Sequence, residues 1–223
     1  QITIVQRQPT LLKREDPEIA AMVEQQFVEE GIDVRLSHTA ESIQVRDGVQ
    51  VLTCVHDSQS VEIEFDTLLL ALGREPHVHG FGLEDLNIAL TPQGTIEVND
   101  YMQTSMPNIY ACGDVAGPYQ FTHTAAHTAW YASVNALFGR FRKFKVDYSV
   151  IPWATFTDPE VARVGLNETE AKERGIPYEL TTYGIDDLDR AIADESAEGL
   201  VKVLTAPGKD KILGATIVGG QAG

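Results

Sequence analysis

Apolar positions in the first part of the chain switch between a strand period and a helix period, and the switches mark out elements. Ile2-Thr-Ile-Val5 is a short apolar run that reads as a buried strand, with a turn following at Pro9. Asp16-Pro17-Glu18 predicts a helix start: a capping side chain, proline at the first helical position and an acid in the first turn. Ile19, Met22, Val23 and Phe27 then fall on one helical face, and Gly31 supplies the stop. Ile32 to Leu36 returns as a strand. Strand, helix and strand joined by so short a crossover predict a parallel α/β unit.

Three short strands with turn signals between them come next. Glu41 to Val45, Gln50 to His56 and Val61 to Phe65 are separated by Asp47-Gly48 and by residues 57–60, which predicts an antiparallel meander. Leu68 to Leu72 reads as a fully buried strand ending at Gly73, and 74–106 as loop punctuated by Pro76, Gly80, Gly82 and Pro92. Ile109-Tyr-Ala111 is a further short buried strand, closed by Cys112-Gly-Asp114. Thr122 to Phe138 is the longest helical segment, ended by Gly139. From about Tyr148 the pattern becomes α+β. Strands are expected at 151–156, 162–164, 178–183, 200–205 and 212–218, with Pro207-Gly208 opening the turn of a closing hairpin. Asn167-x-x-Glu170 has the form of a capping box for a short helix that stops at Gly175.

Composition narrows the function classes. Seventeen Lys and Arg against 33 Asp and Glu give a formal charge of −16, and so acidic a surface repels phosphate backbones. The one basic stretch, Arg140-Phe-Arg-Lys-Phe-Lys145, reads as a solvated linker rather than a nucleic-acid site. No apolar run approaches the ~20 residues of a membrane span, and no secretory leader is visible at Gln1. The two cysteines, Cys54 and Cys112, form no Cys-x-x-Cys pair, so a reducing, cytoplasmic setting is expected. His123 and His127 share one helical face, but no acid or third ligand accompanies them and no metal is expected there.

The chemistry is concentrated in Thr104-Ser-Met-Pro-Asn-Ile-Tyr-Ala-Cys-Gly-Asp114. Gly113 permits close backbone approach, and Asp114 at a strand's carboxyl edge can accept a hydrogen bond from a polyol hydroxyl. This segment resembles the second FAD-binding fingerprint of the two-dinucleotide-fold flavoproteins. Ala71-Leu-Gly-Arg-Glu-Pro76 is similar to the Gly-Arg-x-Pro element that leads out of their nicotinamide domain. Phe156-Thr-Asp-Pro-Glu-Val-Ala-Arg-Val-Gly165, Gly199-Leu-Val-Lys-Val203 and Ile212-Leu-Gly-Ala-Thr-Ile-Val-Gly219 resemble strands of their dimerisation domain. On these motifs, in this order, the chain resembles the FAD-dependent pyridine nucleotide-disulfide oxidoreductases of the mercuric reductase and dihydrolipoamide dehydrogenase kind.

The resemblance implies a partial nicotinamide-binding, Rossmann-like domain over 1–72, a carboxyl-terminal segment of an FAD domain over 73–147, and a truncated α+β dimerisation domain over 148–223. It assigns Asp114, beside Gly113, to the ribityl chain of FAD. The helix start at Thr122 and His123 is placed against the pyrimidine edge of the flavin, where unpaired N–H groups suit the reduced ring's negative charge. Gly73 lies near a bound dinucleotide, and Arg74 is open between a ligand and a structural role. Strand ends such as Val5-Gln6-Arg7 read the adenosine ribose. Gln6 stands where NAD enzymes carry an acid, and Arg7 suits the 2′-phosphate of NADP, so NADP is expected, with NAD the alternative. The implied enzyme is a homodimeric NAD(P)H-dependent flavoprotein with a disulfide, metal-ion or other small-molecule acceptor, like mercuric reductase. The alternatives are an NAD-dependent dihydrolipoamide dehydrogenase-like or transhydrogenase enzyme, or, for these residues alone, a non-catalytic dimerisation fragment. The Gly-x-Gly-x-x-Gly loops, the Cys-x4-Cys pair and the His acid/base motif that complete such enzymes are not in these 223 residues, so no catalytic residue is assigned and no turnover is expected of this chain alone.

Overall fold

The computed structural model describes residues 1–223, which form two compact units: 1–70 together with 152–223, and 71–151. In the first unit, β1 (Thr3–Val5) pairs in parallel with β2 (Asp33–Arg35) across helix α1 (Pro17–Glu29), as the strand–helix–strand pattern predicts. Gly31 ends the helix segment with φ +83°, a left-handed conformation that glycine adopts at little cost. Strands β3 (Thr39–Arg46), β4 (Val49–His56) and β5 (Gln59–Phe65) form the antiparallel meander in the order β3-β4-β5.

The last part of this unit is a five-stranded antiparallel sheet. It comprises β6 (Pro152–Thr155), β7 (Glu160–Gly165), β8 (Glu179–Gly184), β9 (Leu200–Thr205) and β10 (Ile212–Gly219), in the order β6-β7-β10-β9-β8. The apolar stripe of α1 packs into this half: Ile19 and Val23 share a buried cluster with Val161 of β7 and Val218 of β10. In the second unit, helix α2 (Thr122–Phe138) has the bounds that the sequence predicts. Its buried face is Thr124, Thr128, Ala132 and Asn135, and Ala132 packs into a core of Val78, Ile96, Met102 and Ala111. Helices α3 (Glu168–Glu173) and α4 (Asp189–Ala193) complete the set; the pattern of apolar positions did not reveal α4.

Two expectations are corrected. Residues 68–72 are irregular rather than a buried strand, with Leu69 and Leu72 each 87% exposed. A strand buried on both faces needs neighbours to take its backbone hydrogen bonds, and no strand of this chain pairs with it. Ile109–Ala111 forms only an isolated bridge, Gln103 to Tyr110, although Ala111 is buried.

Candidate functional site

The Cys112-Gly-Asp114 terminus turns sharply against α2. Gly113 has φ +75°, and a Cβ placed there would lie 3.2 Å from the Cβ of Ala125 in the first turn of the helix. Glycine suits the position twice over: it takes the left-handed conformation at little cost, and its missing Cβ avoids a tight contact with Ala125. Asp114 follows in a single 3₁₀ turn, Gly113–Val115. Its Oδ2 accepts a 2.8 Å hydrogen bond from Arg74 Nη1, while its other carboxylate oxygen has no partner in the chain. Sequence reading left Arg74 undecided; the fold brings it to Asp114 across 40 positions. Both line a cavity of about 560 Å³, with Pro76, Thr95, Gln120 and Tyr148 among the other walls.

Helix α2 begins at the edge of this turn. Phe121 stands at its N-cap and makes no capping hydrogen bond through its own side chain. Thr122 and His123 are exposed, and the His123 ring stacks on Phe121 at 5.5 Å between centroids. His127 is engaged separately, with Nε2 2.9 Å from the Asp147 carbonyl. A carboxylate oxygen without an intrachain partner beside a tight glycine turn is chemically suited to a polyol hydroxyl of the kind a flavin tail carries. Gly73 has φ +119° and open space around it, so its conformation, not crowding, calls for glycine there.

At the nicotinamide candidate, Gln6 is fixed from both sides. Its N–H donates to Arg35 O (2.9 Å), its carbonyl accepts from His38 N (3.0 Å), and its side-chain Oε1 accepts from Gln8 N (3.1 Å). Arg7 is exposed, and no ion pair holds it. A cation at the end of β1 is therefore available to an anionic ligand. The basic stretch 140–145 is largely occupied locally: Arg142 lies over Phe144, Lys143 over Tyr101, and Lys145 pairs with Asp100.

The largest polar feature was not foreseen. Arg163 of β7, Thr216 of β10 and Lys202 of β9 are cross-strand neighbours, and all three are nearly fully buried. Lys202 Nζ meets Asp16 Oδ2 (2.8 Å), Glu168 Oε1 (2.8 Å) and Glu18. Arg163 pairs with Glu15 (3.1 Å) and Glu170 (2.9 Å) and lies 4.3 Å from the Trp153 ring centroid. Asp16 precedes α1, yet its carboxylate caps the other helix: it accepts from the N–H groups of Glu168 and Thr169 and from the Thr169 hydroxyl. Asn167 caps α3 as predicted, taking the N–H of Glu170 at 2.9 Å.

This environment moves the protonation equilibria. Hydrogen bonds from Lys202 and then Tyr178 hold Glu168 down at about 2. Burial pushes Asp16 up, but bonds from Lys202, Thr169 and the Glu168 N–H outweigh it and keep its carboxyl low. Glu15 goes the other way, raised by burial beyond what Arg163 offsets. Asp16, Glu18 and Glu168 bring oxygens as close as a metal site would need, but the Lys202 ammonium already sits among them.

The fold thus combines a parallel β-α-β unit, a Gly-Asp turn docked on a helix start and a five-stranded antiparallel sheet. The chain belongs to the pyridine nucleotide-disulphide oxidoreductase family: residues 1–129 match the family itself and residues 151–223 its dimerisation domain. It is 37% identical over 224 residues to a mercuric reductase of Lysinibacillus sphaericus, of which it covers 40%. It is 36% identical to a dihydrolipoyl dehydrogenase of Thermus scotoductus, covering 48%. Among solved structures, the HOCl-induced flavoprotein disulfide reductase RclA from Escherichia coli superposes over the whole chain with a TM-score of 0.85 at 26% identity, the chain spanning 50% of it. The chain thus spans less than half of these curated relatives' length. No helix is long and apolar enough to cross a membrane.

Proposed function

We propose that the whole protein is an FAD-dependent NADPH oxidoreductase with a disulfide or a metal ion as acceptor, similar to mercuric reductase. Residues 1–72 would belong to its nicotinamide domain, 73–147 to its FAD domain and 148–223 to a domain that pairs two copies in the cytoplasm. The observation that carries this reading is the Asp114 turn held against the start of α2. Asp114 accepts a ribityl hydroxyl, and the backbone at Thr122 and His123 meets the negative charge of a reduced ring. Bound FAD would supply the two-electron chemistry between nicotinamide and acceptor. Gly73 lets the chain pass close to the dinucleotide, while Gln6 and Arg7 meet the adenosine ribose and its 2′-phosphate.

The whole protein should purify yellow with FAD bound and should oxidise NADPH; a colourless protein inert to NADPH rejects the proposal. Asp114→Ala should weaken FAD binding by about 10- to 100-fold, the worth of a hydrogen bond to a charged group, measured by flavin fluorescence on titration. The second reading is an NAD-using enzyme of the dihydrolipoamide dehydrogenase kind, to which the 36% identity with a dihydrolipoyl dehydrogenase gives weight. The two separate on kcat/KM. Under the NADPH reading, Arg7→Ala lowers the value for NADPH about tenfold or more and leaves that for NADH unchanged. Should NADH be preferred and Arg7→Ala change neither value, the NAD reading stands.

A further inference from the structure

We propose that Thr128 is a positioning residue for the flavin, the side chain that sets Asp114 in register with the start of α2. The proposal deepens the flavin reading above and rests on it. A threonine within a helix ordinarily donates its hydroxyl proton to a carbonyl one turn back. Thr128 does so, with Oγ1 2.9 Å from Thr124 O and 3.1 Å from Ala125 O. One hydroxyl carries a single proton and two lone pairs, so acceptor capacity remains. That capacity is taken by Gly113, whose N–H donates to Thr128 Oγ1 at 3.0 Å.

The bond is made where the chain has little other choice. Thr128 is 1% exposed and Gly113 is buried, so water cannot replace a lost partner. Gly113 stands in the left-handed conformation with the helix face only one Cβ away, so small displacements of this peptide are not absorbed elsewhere. One oxygen atom thus ties together the residue before the proposed ribityl ligand and the first turn of the helix whose amino end faces the reduced ring. Loss of the bond frees the Asp114 peptide to drift relative to that helix start.

Asn135 on the same buried face is the natural comparison. It anchors the far half of α2, accepting from Phe144 N (2.7 Å) and donating to the carbonyls of Tyr101 and Phe144. It makes none of its bonds to the Gly113 turn.

The test uses the full-length holoprotein. Thr128→Val, nearly isosteric but without the oxygen, should raise the FAD dissociation constant about tenfold. It should also lower the two-electron flavin midpoint by about 30 mV, the equivalent of a tenfold larger loss for reduced than for oxidised flavin. Thr128→Ser, which keeps the oxygen, should restore both. Asn135→Leu should lower thermal stability without moving the midpoint. Thr128→Ala is measured alongside, so that a poorly folding valine variant leaves the test standing. An unchanged midpoint in both oxygen-lacking variants, or a serine variant as impaired as they are, overturns the assignment. If the wild-type protein itself binds no flavin, the functional reading has failed, and that is decided before any variant is compared.

Discussion

Lys202→Met should destabilise the unit formed by 1–70 and 152–223 by about 3–5 kcal/mol, the cost of removing one partner from a buried ionic group. Methionine fills most of the volume of the lysine stem, so packing is nearly conserved and the loss is electrostatic. The ammonium is 1% exposed and is the shared partner of Asp16, Glu18 and Glu168. Without it, three carboxylates face one another. Asp16 must also keep the N–H groups of Glu168 and Thr169, so the start of α3 loosens with it. Trp153, packed on the neighbouring Arg163 and donating to Glu15, is a local fluorescent reporter of unfolding. The other tryptophan, Trp130, lies in the other unit and can be replaced by phenylalanine to isolate the signal.

The pH dependence gives the same prediction a sign. Asp16 and Glu168 have depressed folded pKa values, so their contribution is fully present above the ordinary values of 3.8 and 4.5. It is lost as pH falls through the folded values, about 2 for Glu168. Lys202, raised by the surrounding carboxylates against the opposing effect of burial, contributes fully below 10.5 and loses its share only as pH climbs past its raised value. Glu15, raised, has the opposite acid dependence and offsets part of the loss. The wild-type unit should therefore weaken between pH 4.5 and about 2. In Lys202→Met the trend should reverse, because protonation now relieves repulsion. A variant with wild-type stability at neutral pH, or the same acid profile, would show that the cluster is solvated rather than buried in solution.

How legible this was differs by element. The bounds of α2 and the parallel β1-α1-β2 unit follow from periodicity and punctuation, because local chain chemistry determines them. Asp114 could be singled out because its turn is written in contiguous residues. Its pairing with Arg74 was not, since contact across 40 positions leaves no local trace. Lys202 was hidden by its own strand. In Leu-Val-Lys-Val-Leu, Val201 and Val203 are only half-buried, whereas Lys202 and Leu204 point into the interior. The apolar alternation thus points the lysine outward, and only the carboxylates brought by residues 15–18 and 168–170 reverse it. Asp16 misled in a smaller way: its sequence position is a helix cap, and it serves as one, but for α3. At 68–72 the pattern was right about hydrophobicity and wrong about burial, because burial depends on strands that this chain does not supply.

Gly214→Ala should cost about 3 kcal/mol, at the upper end of what overpacking a well-filled interior costs, and more than alanine at several glycines with stranger backbones. Gly214 lies outside the left-handed region, so conformation alone would tolerate alanine. Space would not: a Cβ there falls inside the van der Waals envelope of Leu166 O and N, with the Leu166 carbonyl carbon 2.7 Å away. These are backbone atoms, and Leu166 N is committed to Leu213 O at 3.0 Å, so neither can swing aside as a side chain would. The partner across the ladder, Gly165, carries both penalties: φ +71° and a Cβ that would meet Leu213 O. Gly208 in the β9–β10 turn isolates the conformational one, with φ +64° and nothing within 4 Å. Its alanine variant should lose only about 1–2 kcal/mol, the cost of a left-handed L-residue. The expected order of thermal midpoints is wild-type, then Gly208→Ala, then Gly214→Ala, with Gly165→Ala lowest. Because β10 is the middle strand of the sheet, the two lower variants should also lose protection of β7 and β9 amides in hydrogen exchange, whereas Gly208→Ala should leave it intact. Gly214→Ala melting with or above Gly208→Ala would mean that the β7–β10 ladder can open by several tenths of an ångström without loss, and the close approach of the two glycines would then not be what holds these strands in register.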